Sequence, residues 1–339
     1  MRVFFDPAQR LHAPVAELYG GQLIDPFESP QRADRILDAV SHLGTASEPR
    51  DFGREALTRV HAPDFVAFLE ECWEAWAAEG FAGDAMTAAM PPDRREAHCP
   101  SHIEGRLGYF AFSGESAITS TTFKAARASA NTALAAAEAV AQGAKSAFAL
   151  CRPPGHHCMH AQFGGYCYLN NAALAAQAMR DSGAAQVAIL DIDFHHGNGT
   201  QDIFYDRADV LFCSIHGDPD RAYPFYLGYS EEVGRGAGHG FNHNFPLPEA
   251  TAFAAWLEAF EAAAGHISRF GAEALVVSLG VDIYESDPQS FFRISAPNLF
   301  EIGRRIAQFS MPTVFVMEGG YANDELGANV ARVLTGFTG

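Results

Sequence analysis

Short apolar runs alternate along the chain with segments whose apolar residues recur every three or four positions. The short runs lie at residues 146–150, 186–192, 210–215, 274–279 and 313–317 and predict buried strands, with a further strand over 1–6. The intervening segments predict helices over 29–44, 63–79, 122–142, 170–182, 250–270 and 297–309, and a last helix after 323. This alternation predicts an α/β fold with an open, mainly parallel multi-stranded sheet and helices on both faces.

The chain shows no internal repeat, low-complexity tract or linker, so we expect a single domain over residues 1–339. The least regular stretch is 80–119, which contains Pro91-Pro92 and Cys99-Pro100. This irregular stretch predicts a long loop that extends away from the core. Long loops in compact domains are usually functional or disordered.

Polar and glycine-rich residues follow five of the predicted strands directly. These segments are CRPPGHH (151–157), DIDFHHGNG (191–199), SIHGD (214–218), GVD (280–282) and EGGY (318–321). In open α/β sheets, ligands bind beyond the carboxyl ends of the strands. The five segments therefore predict an active site at that edge of the sheet.

The spacing of Asp191, Asp193 and His195 indicates a metal site. Residues two apart share one face of an extended strand, and two carboxylates beside an imidazole would be costly to bury without a cation. Asp282, which leaves another strand, supplies a third ligand. Two Asp and one His with an open position indicate catalytic zinc or iron(II). The alternative is an Asp/His hydrogen-bond network that caps the strand ends, which Asp282 and the glycine-rich turns disfavour.

Two further groups are candidates for catalysis. His156 and His157 lie in a turn, where both rings can face a cavity and serve as general base and general acid on water. A surface turn is the commoner setting for such a pair, but Arg152 and the neighbouring core strand favour burial. Tyr321 follows two glycines, and its phenol can donate to a developing oxyanion. A plain Gly-Gly-Tyr turn is the alternative.

Charge and cysteine content restrict the partners. Forty-one acidic and 23 basic residues give a net charge of −18, which repels nucleic acid and anionic lipid and attracts cations. No apolar run reaches the roughly 18–20 residues of a membrane span, and the first residues lack the apolar stretch of a signal peptide. The six cysteines form no CxxC pair. We therefore expect a cytoplasmic protein without a nucleic-acid or membrane partner.

Eight stretches of the sequence belong to one recognisable pattern. They are RPPGHH (152–157), FGGYCYLNNAA (163–173), ILDIDFHHGNGTQDIFY (189–205), SIHGDP (214–219), SLGVD (278–282), MEGGY (317–321), ELYGGQL…PFESPQRAD (17–34) and IEGRLGY (103–109). Together they resemble the zinc-dependent, histone-deacetylase-like amidohydrolases of the arginase/deacetylase superfamily. The last two resemble its acetylpolyamine amidohydrolase branch. The resemblance spans nearly the whole chain and implies the arginase/deacetylase fold, with a metal site at the carboxyl ends of the strands.

The resemblance implies roles for the residues that match its motifs. The implied zinc ligands are Asp193, His195 and Asp282, with iron(II) as an alternative ion. His156 and His157 are the implied acid/base pair, with His157 as the group that removes a proton from water.

Supporting positions are implied in the same way. Asp191 lies behind His156, Asn198 lies behind His157, and Tyr321 polarises the scissile carbonyl. Structural potassium is implied near the zinc, through Asp191, Asp193, His195, Ser214 and Ile215. A second, outer potassium site is implied at Phe204, Arg207 and Val210.

The implied substrate is an N-acetylated amine. Tyr166 and Tyr223, with the neighbouring Gly165, match the aromatic pair that lines the acyl-lysine tunnel of the family. Glu104 and Glu115 match acidic positions in the insertion of the polyamine branch and would receive a polyammonium chain.

In that branch the insertion, here about 80–119, packs against a partner subunit and narrows the cleft. The resemblance therefore implies a homodimer that acts on small cationic acetylated amines.

Two departures from the pattern leave the substrate range open. Residues 158–162 read CMHAQ where relatives tend to have Ala-Gly and an acidic residue, and Gln289 is neutral where one polyamine-selective group has a glutamate. Acetylputrescine, acetylcadaverine, longer acetylpolyamines and acetyl-lysine in proteins all stay open. A ureohydrolase is disfavoured because Gly280-Val281-Asp282 lacks a second Asp. A non-catalytic binding protein is disfavoured because all six key positions are present.

Overall fold

The computed structural model describes residues 1–94 and 96–339. In this part of the chain, a seven-stranded sheet has every neighbouring pair parallel. In spatial order its strands are β1 (Arg2–Phe4), β4 (Ser146–Ala149), β9 (Thr313–Met317), β8 (Ala274–Leu279), β5 (Val187–Asp191), β6 (Val210–Gly217) and β7 (Asn242–Leu247). A separate antiparallel hairpin contains β2 (Glu17–Tyr19) and β3 (Gln22–Ile24).

Helices cover both faces of this sheet. They are α1 (Gln31–Val40), α2 (Arg54–Leu57), α3 (Pro63–Ala78), α4 (Ile103–Phe110), α5 (Thr122–Ala141), α6 (Asn171–Asp181), α7 (Asn198–Phe204), α8 (Phe253–Phe270), α9 (Ala296–Ala307) and α10 (Leu326–Thr338). Buried side chains of α3, α4, α5 and α6 form one apolar core with the sheet. Those of α1, α8, α9 and α10 form a second core on the opposite face.

Strand β9 shows why the central strands are apolar throughout. Val314 and Val316 pack into the first core, whereas Phe315 and Met317 pack into the second. Because both faces of a parallel sheet are covered, successive side chains are buried alternately on opposite sides. The predicted parallel α/β sheet and its five central strands are confirmed. None of the helices in the described ranges is long and apolar enough to cross a bilayer.

Several elements differ from the prediction. The short helices α2 and α7 were not predicted. The edge strand β7 was missed because its sequence, NHNFPL, is polar and contains Pro246, which an edge strand tolerates. The hairpin of β2 and β3 was missed because each strand has only 3 residues. The stretch 80–119, expected to be irregular, contains α4, whose Ile103, Leu107 and Phe110 are buried in the first core.

Candidate active site

The carboxyl ends of the central strands converge on one group of polar side chains. Asp191 is the last residue of β5, and the turn after it presents Asp193 and His195. Asp282 follows the neighbouring strand β8, and Tyr321 follows β9. The parallel arrangement brings these segments to the same edge of the sheet, where the sequence predicted an active site.

Asp193, His195 and Asp282 form a compact triad of metal-ligand type. Their ligand atoms all lie within 4.8 Å of one another. His195 Nδ1 is 3.2 Å from Asp193 Oδ1 and 3.0 Å from Asp282 Oδ2. Two ligands of a tetrahedral zinc ion, each at 2.0–2.2 Å, are about 3.3–3.6 Å apart. The donor set and its spacing fit zinc, and three protein ligands leave the fourth position for water or substrate, as in catalytic zinc sites.

Backbone groups orient the two carboxylates of this triad. The amide of Phe194 donates to Asp282 Oδ1 at 2.8 Å, and the amide of Gly319 donates to Asp193 Oδ2 at 2.8 Å. A Cβ atom at position 319 would lie 2.4 Å from Asp282 Oδ2 and 2.6 Å from Asp193 Oδ2. Only glycine therefore allows the backbone to approach both carboxylates this closely.

The tandem histidines each have a hydrogen-bond partner behind the ring. His156 Nδ1 is 3.0 Å from Asp191 Oδ2, and His157 Nδ1 is 2.6 Å from Asn198 Oδ1. Both partner atoms are acceptors, so Nδ1 of each ring donates and Nε2 is left for other contacts. The pairs Asp191–His156 and Asn198–His157 lie where the resemblance implied them.

The pKa values of the two rings are shifted in opposite directions. Burial, followed by the positive charges of His156 and His195, lowers the pKa of His157 well below its usual value. Burial opposes the charged form of His156 as well, but the carboxylates of Asp193 and Asp191 outweigh it and raise the pKa of that ring to about 10. His157 is therefore the neutral ring that can accept a proton.

The turn that carries these histidines is attached to the turn after β9. The buried carboxylate of Glu318 accepts hydrogen bonds from the amides of Gly155 and His156 at 2.7 and 3.1 Å. The segment before Tyr321 and the segment before His157 therefore hold each other in place.

Tyr321 is held by a buried arginine that the sequence analysis missed. Arg32 donates from Nε to the carbonyl of Gly320 at 2.8 Å and from Nη2 to that of Glu318 at 2.7 Å. Its guanidinium lies 4.9 Å from the centre of the Tyr321 ring. Burial, opposed by Arg32, raises the pKa of Tyr321 well above its usual value, so the phenol stays protonated and can donate. Arg32 lies in an amphipathic helix, where its sequence gives no sign of burial.

A cavity of about 210 Å³ leads from the protein surface to the triad. Near the triad, the wall of this cavity contains His157, His195 and Tyr321. Its other lining residues are Glu17, Leu18, Tyr19, Glu115, Gly165, Tyr166, Tyr223, Phe225 and Gln289. The cavity thus contains the predicted Tyr166, Tyr223, Gly165, Glu115 and Gln289. The sequence analysis did not assign Glu17, Leu18, Tyr19 or Phe225 to it.

Residues of the stretch 80–119 contact the walls of this cavity within the same chain. Tyr223 donates through its hydroxyl to Ser113 Oγ at 2.9 Å, and the amide of Gly165 donates to Glu115 Oε1 at 2.7 Å. The amide of Tyr166 donates to Ser116 Oγ at 2.8 Å. Residues 113–116 therefore hold the aromatic walls formed by Tyr166 and Tyr223 in place through hydrogen bonds.

Glu104 does not line the cavity of its own chain. It lies exposed on α4, with its Oε2 3.8 Å from His102 Nδ1. The role of Glu104 in substrate binding stays a prediction. Cys158, in the segment that departs from the family pattern, is buried, and burial raises the pKa of its thiol well above the usual value.

The implied potassium ligands Asp191, Ser214 and Ile215 lie on two adjacent strands, and potassium binding stays a prediction. Ser214 is in register with Asp191 on the adjacent strands β6 and β5, and Ile215 follows it, fully buried. At the implied outer site, the carbonyl of Phe204 accepts from the amide of Arg207 at 2.9 Å, and Val210 begins β6.

Comparisons with known proteins agree with this geometry. Residues 26–337 match the family model described as histone deacetylase domain. The chain is 50% identical to acetylpolyamine amidohydrolase 2 of Pseudomonas aeruginosa, over 100% of this chain and 99% of the relative. It is 48% identical to the acetylpolyamine amidohydrolase of Mycoplana ramosa, over 100% of both chains. The crystal structure of an acetylpolyamine aminohydrolase from Burkholderia pseudomallei matches with a TM-score of 0.96 and 41% identity, over 99% of this chain and 98% of the other.

Proposed function

The chain belongs to the histone deacetylase family, and we propose that it hydrolyses the acetyl amide of acetylated polyamines or small N-acetylated amines. The products are acetate and the free amine. The observation that carries this proposal is the Asp193–His195–Asp282 triad at the base of an aromatic-walled cavity. The full-length identity to acetylpolyamine amidohydrolases supports the substrate class.

Asp193, His195 and Asp282 would hold the metal, which we propose to be zinc, with iron(II) as the alternative. When bound there, the ion would supply Lewis acidity that acidifies water and polarises the amide carbonyl.

Side chains of the protein carry out the proton transfers and stabilise the developing negative charge. His157, neutral and oriented by Asn198, accepts the proton of the attacking water at Nε2. Tyr321 donates its hydroxyl to the carbonyl oxygen as that oxygen gains negative charge. The water oxygen forms the new C–O bond, and the C–N bond then breaks. The tandem histidines return a proton to the leaving nitrogen.

The cavity walls suit an alkyl chain. Tyr166 contacts Tyr321 edge to face at 5.9 Å between ring centres, and Tyr223 contacts His157 in the same way at 5.0 Å. These rings offer apolar faces to methylene groups and negative π faces to a nearby ammonium. Glu115 adds a carboxylate at the same cavity.

We extend the proposal to a cytoplasmic homodimer with potassium near the metal. Leu18, Tyr19, Phe225 and Tyr226 are exposed apolar residues, and three of them line the mouth of the cavity. A second copy packed there would cover them and bring its own insertion, with Glu104, towards the substrate. The net charge of −18 supports a cationic substrate and disfavours a nucleic-acid partner.

A protein deacetylase with the same chemistry is the second candidate. Gln289 favours it, because its neutral side chain lines the cavity and its Nε2 has no hydrogen-bond partner among the described residues. An amide donor of this kind suits a peptide carbonyl better than an ammonium group.

The metal requirement tests the proposed chemistry. Zinc-loaded protein is expected to release acetate from N-acetylputrescine, and chelator-treated protein is expected to release none until zinc is added back. Asp282→Asn should bind zinc at least tenfold more weakly, because an amide is a poorer ligand than a carboxylate. Metal content and acetate release, measured on the same samples, check both expectations. Full activity in the metal-free protein would refute the proposal.

A further inference from the structure

Asp287 is a buried carboxylate in the loop after β8, close to the turn that carries Tyr321. The residue is only 5% exposed and does not line the substrate cavity. Its Oδ2 accepts hydrogen bonds from the amides of Tyr321 and Ala322 at 2.6 and 2.9 Å. Its Oδ1 accepts from the amide of Gln289, in its own loop, at 3.0 Å. The proposed chemistry makes no use of this residue.

The peptide group between Gly320 and Tyr321 is held at both ends. Its carbonyl accepts from Arg32 Nε at 2.8 Å, and its amide donates to Asp287 Oδ2. Because the peptide group is planar and hydrogen bonds are directional, these two contacts restrict its rotation. Asp287 also accepts from the next amide, that of Ala322, so its carboxylate holds the backbone on both sides of the Tyr321 Cα atom.

The chain before Tyr321 does not fix this turn by itself. Gly319 and Gly320 precede the tyrosine, and Gly320 has a φ of +135°, a conformation that glycine adopts readily and other residues rarely do. The phenol oxygen lies at the far end of the side chain, so a small rotation of the backbone displaces it by a larger distance. The direction of the phenol therefore depends on contacts from outside the turn.

We propose that Asp287 is a positioning residue for Tyr321. Its carboxylate fixes the backbone on either side of the tyrosine and so directs the phenol at the scissile carbonyl. This inference rests on the proposed function. Displacing a catalytic group by about 1 Å costs up to about 10²-fold in rate. The loss should appear in kcat and leave KM nearly unchanged, because the phenol donates mainly in the transition state.

A purely structural role for Asp287 makes a different prediction. The loop of Asp287 follows the triad residue Asp282, so a substitution at 287 could instead disturb the metal site. A double-mutant cycle with Tyr321→Phe separates the two roles. Without the phenol, a positioning contact has nothing left to direct, and a second substitution at 287 costs no further activity. A disturbed metal site would lower the activity of Tyr321→Phe again.

The experiment measures zinc content and acetate release from N-acetylputrescine on zinc-loaded enzyme. For Asp287→Ala we expect kcat to fall roughly ten- to a hundredfold, with KM within about threefold of the wild-type value and zinc content unchanged. In the Tyr321→Phe background the same substitution should change kcat by less than about twofold. Asp287→Asn keeps one acceptor oxygen, so its kcat should lie between those of the wild type and Asp287→Ala.

Asp6→Asn is the matched control. Asp6 also accepts a backbone amide, that of Ala8 at 2.8 Å, but it does not line the cavity. This variant should therefore keep wild-type kcat, KM and zinc content.

Several results would overturn the inference. Wild-type kcat in Asp287→Ala would remove Asp287 from the positioning of Tyr321. Equal losses with and without the phenol, or a loss that follows a loss of zinc, would assign Asp287 a structural role only. If Asp287→Ala does not fold, the same cycle with Asp287→Asn decides: a loss confined to the enzyme that has the phenol supports the inference, and any other result contradicts it. A wild-type enzyme that releases no acetate would instead refute the proposed function on which the inference rests.

Discussion

Tyr321→Phe is expected to lower kcat for acetate release by about 10²–10³-fold while leaving the bound zinc and the fold unchanged. The phenol lies beside the triad, is only 5% exposed and stays protonated, so it is placed to donate to the carbonyl oxygen as charge develops there. Removing one such donor costs about 3–4 kcal/mol of transition-state stabilisation. KM should change little, because the donation strengthens mainly in the transition state.

Steady-state kinetics and zinc content, measured on the same preparation, check this expectation. Tyr205→Phe is the control, because Tyr205 is only half-buried and lies outside the cavity, and it should retain wild-type turnover. Wild-type kcat in Tyr321→Phe would remove the phenol from the mechanism. A loss of activity that follows a loss of zinc would assign Tyr321 to the integrity of the metal site instead.

The second large effect is on stability. Glu28→Gln is expected to lower the free energy of unfolding by about 3–5 kcal/mol, because it leaves buried charges unbalanced. Glu28 Oε1 lies 2.9 Å from Arg32 Nη1 and 2.8 Å from Arg152 Nε, and all three side chains are at most 2% exposed. Burial opposes the charged form of Glu28, but Arg152 and Arg32 outweigh it and lower the pKa of the carboxyl. Arg32 also anchors the turn of Tyr321, so activity should fall with stability.

Denaturant unfolding at a fixed zinc concentration measures this change. The matched control is Asp34→Asn, which removes a charge from an exposed pair whose side chains are 38% and 53% accessible (Arg10 Nη2–Asp34 Oδ1, 2.6 Å). Its effect should stay below about 1 kcal/mol, because solvent screens exposed pairs. An equal free energy of unfolding for Glu28→Gln and Asp34→Asn would contradict the expectation that Glu28 balances the charges of the two buried arginines.

The central sheet was predictable because both of its faces are covered. Runs such as Val314 to Met317 are apolar without interruption, and only a strand buried on both sides needs that pattern. The candidate triad was predictable for a related reason. Polar residues such as Asp193 and Asp282 interrupt the sequence directly after apolar strands, at the one edge of a parallel sheet where ligands bind.

The supporting residues were not predictable from local pattern. Arg32 lies in an amphipathic helix as a surface arginine would, and only the fold brings it under Gly320. Glu17 meets Tyr166 across 149 positions of sequence, in a strand too short to show alternation. Their only signal was the resemblance of the segment 17–34 to the polyamine branch. Such contacts depend on tertiary structure, which residue spacing along the chain does not encode.

The most direct test of the central claim compares two substrates on zinc-loaded enzyme. We would measure kcat/KM for acetate release from N-acetylputrescine and from an acetyl-lysine peptide side by side. We expect the small amine to be preferred at least tenfold, about 1.4 kcal/mol of transition-state discrimination, because residues 113–116 hold the aromatic walls of a cavity of only about 210 Å³. Equal or faster hydrolysis of the peptide would contradict this account and identify a protein deacetylase.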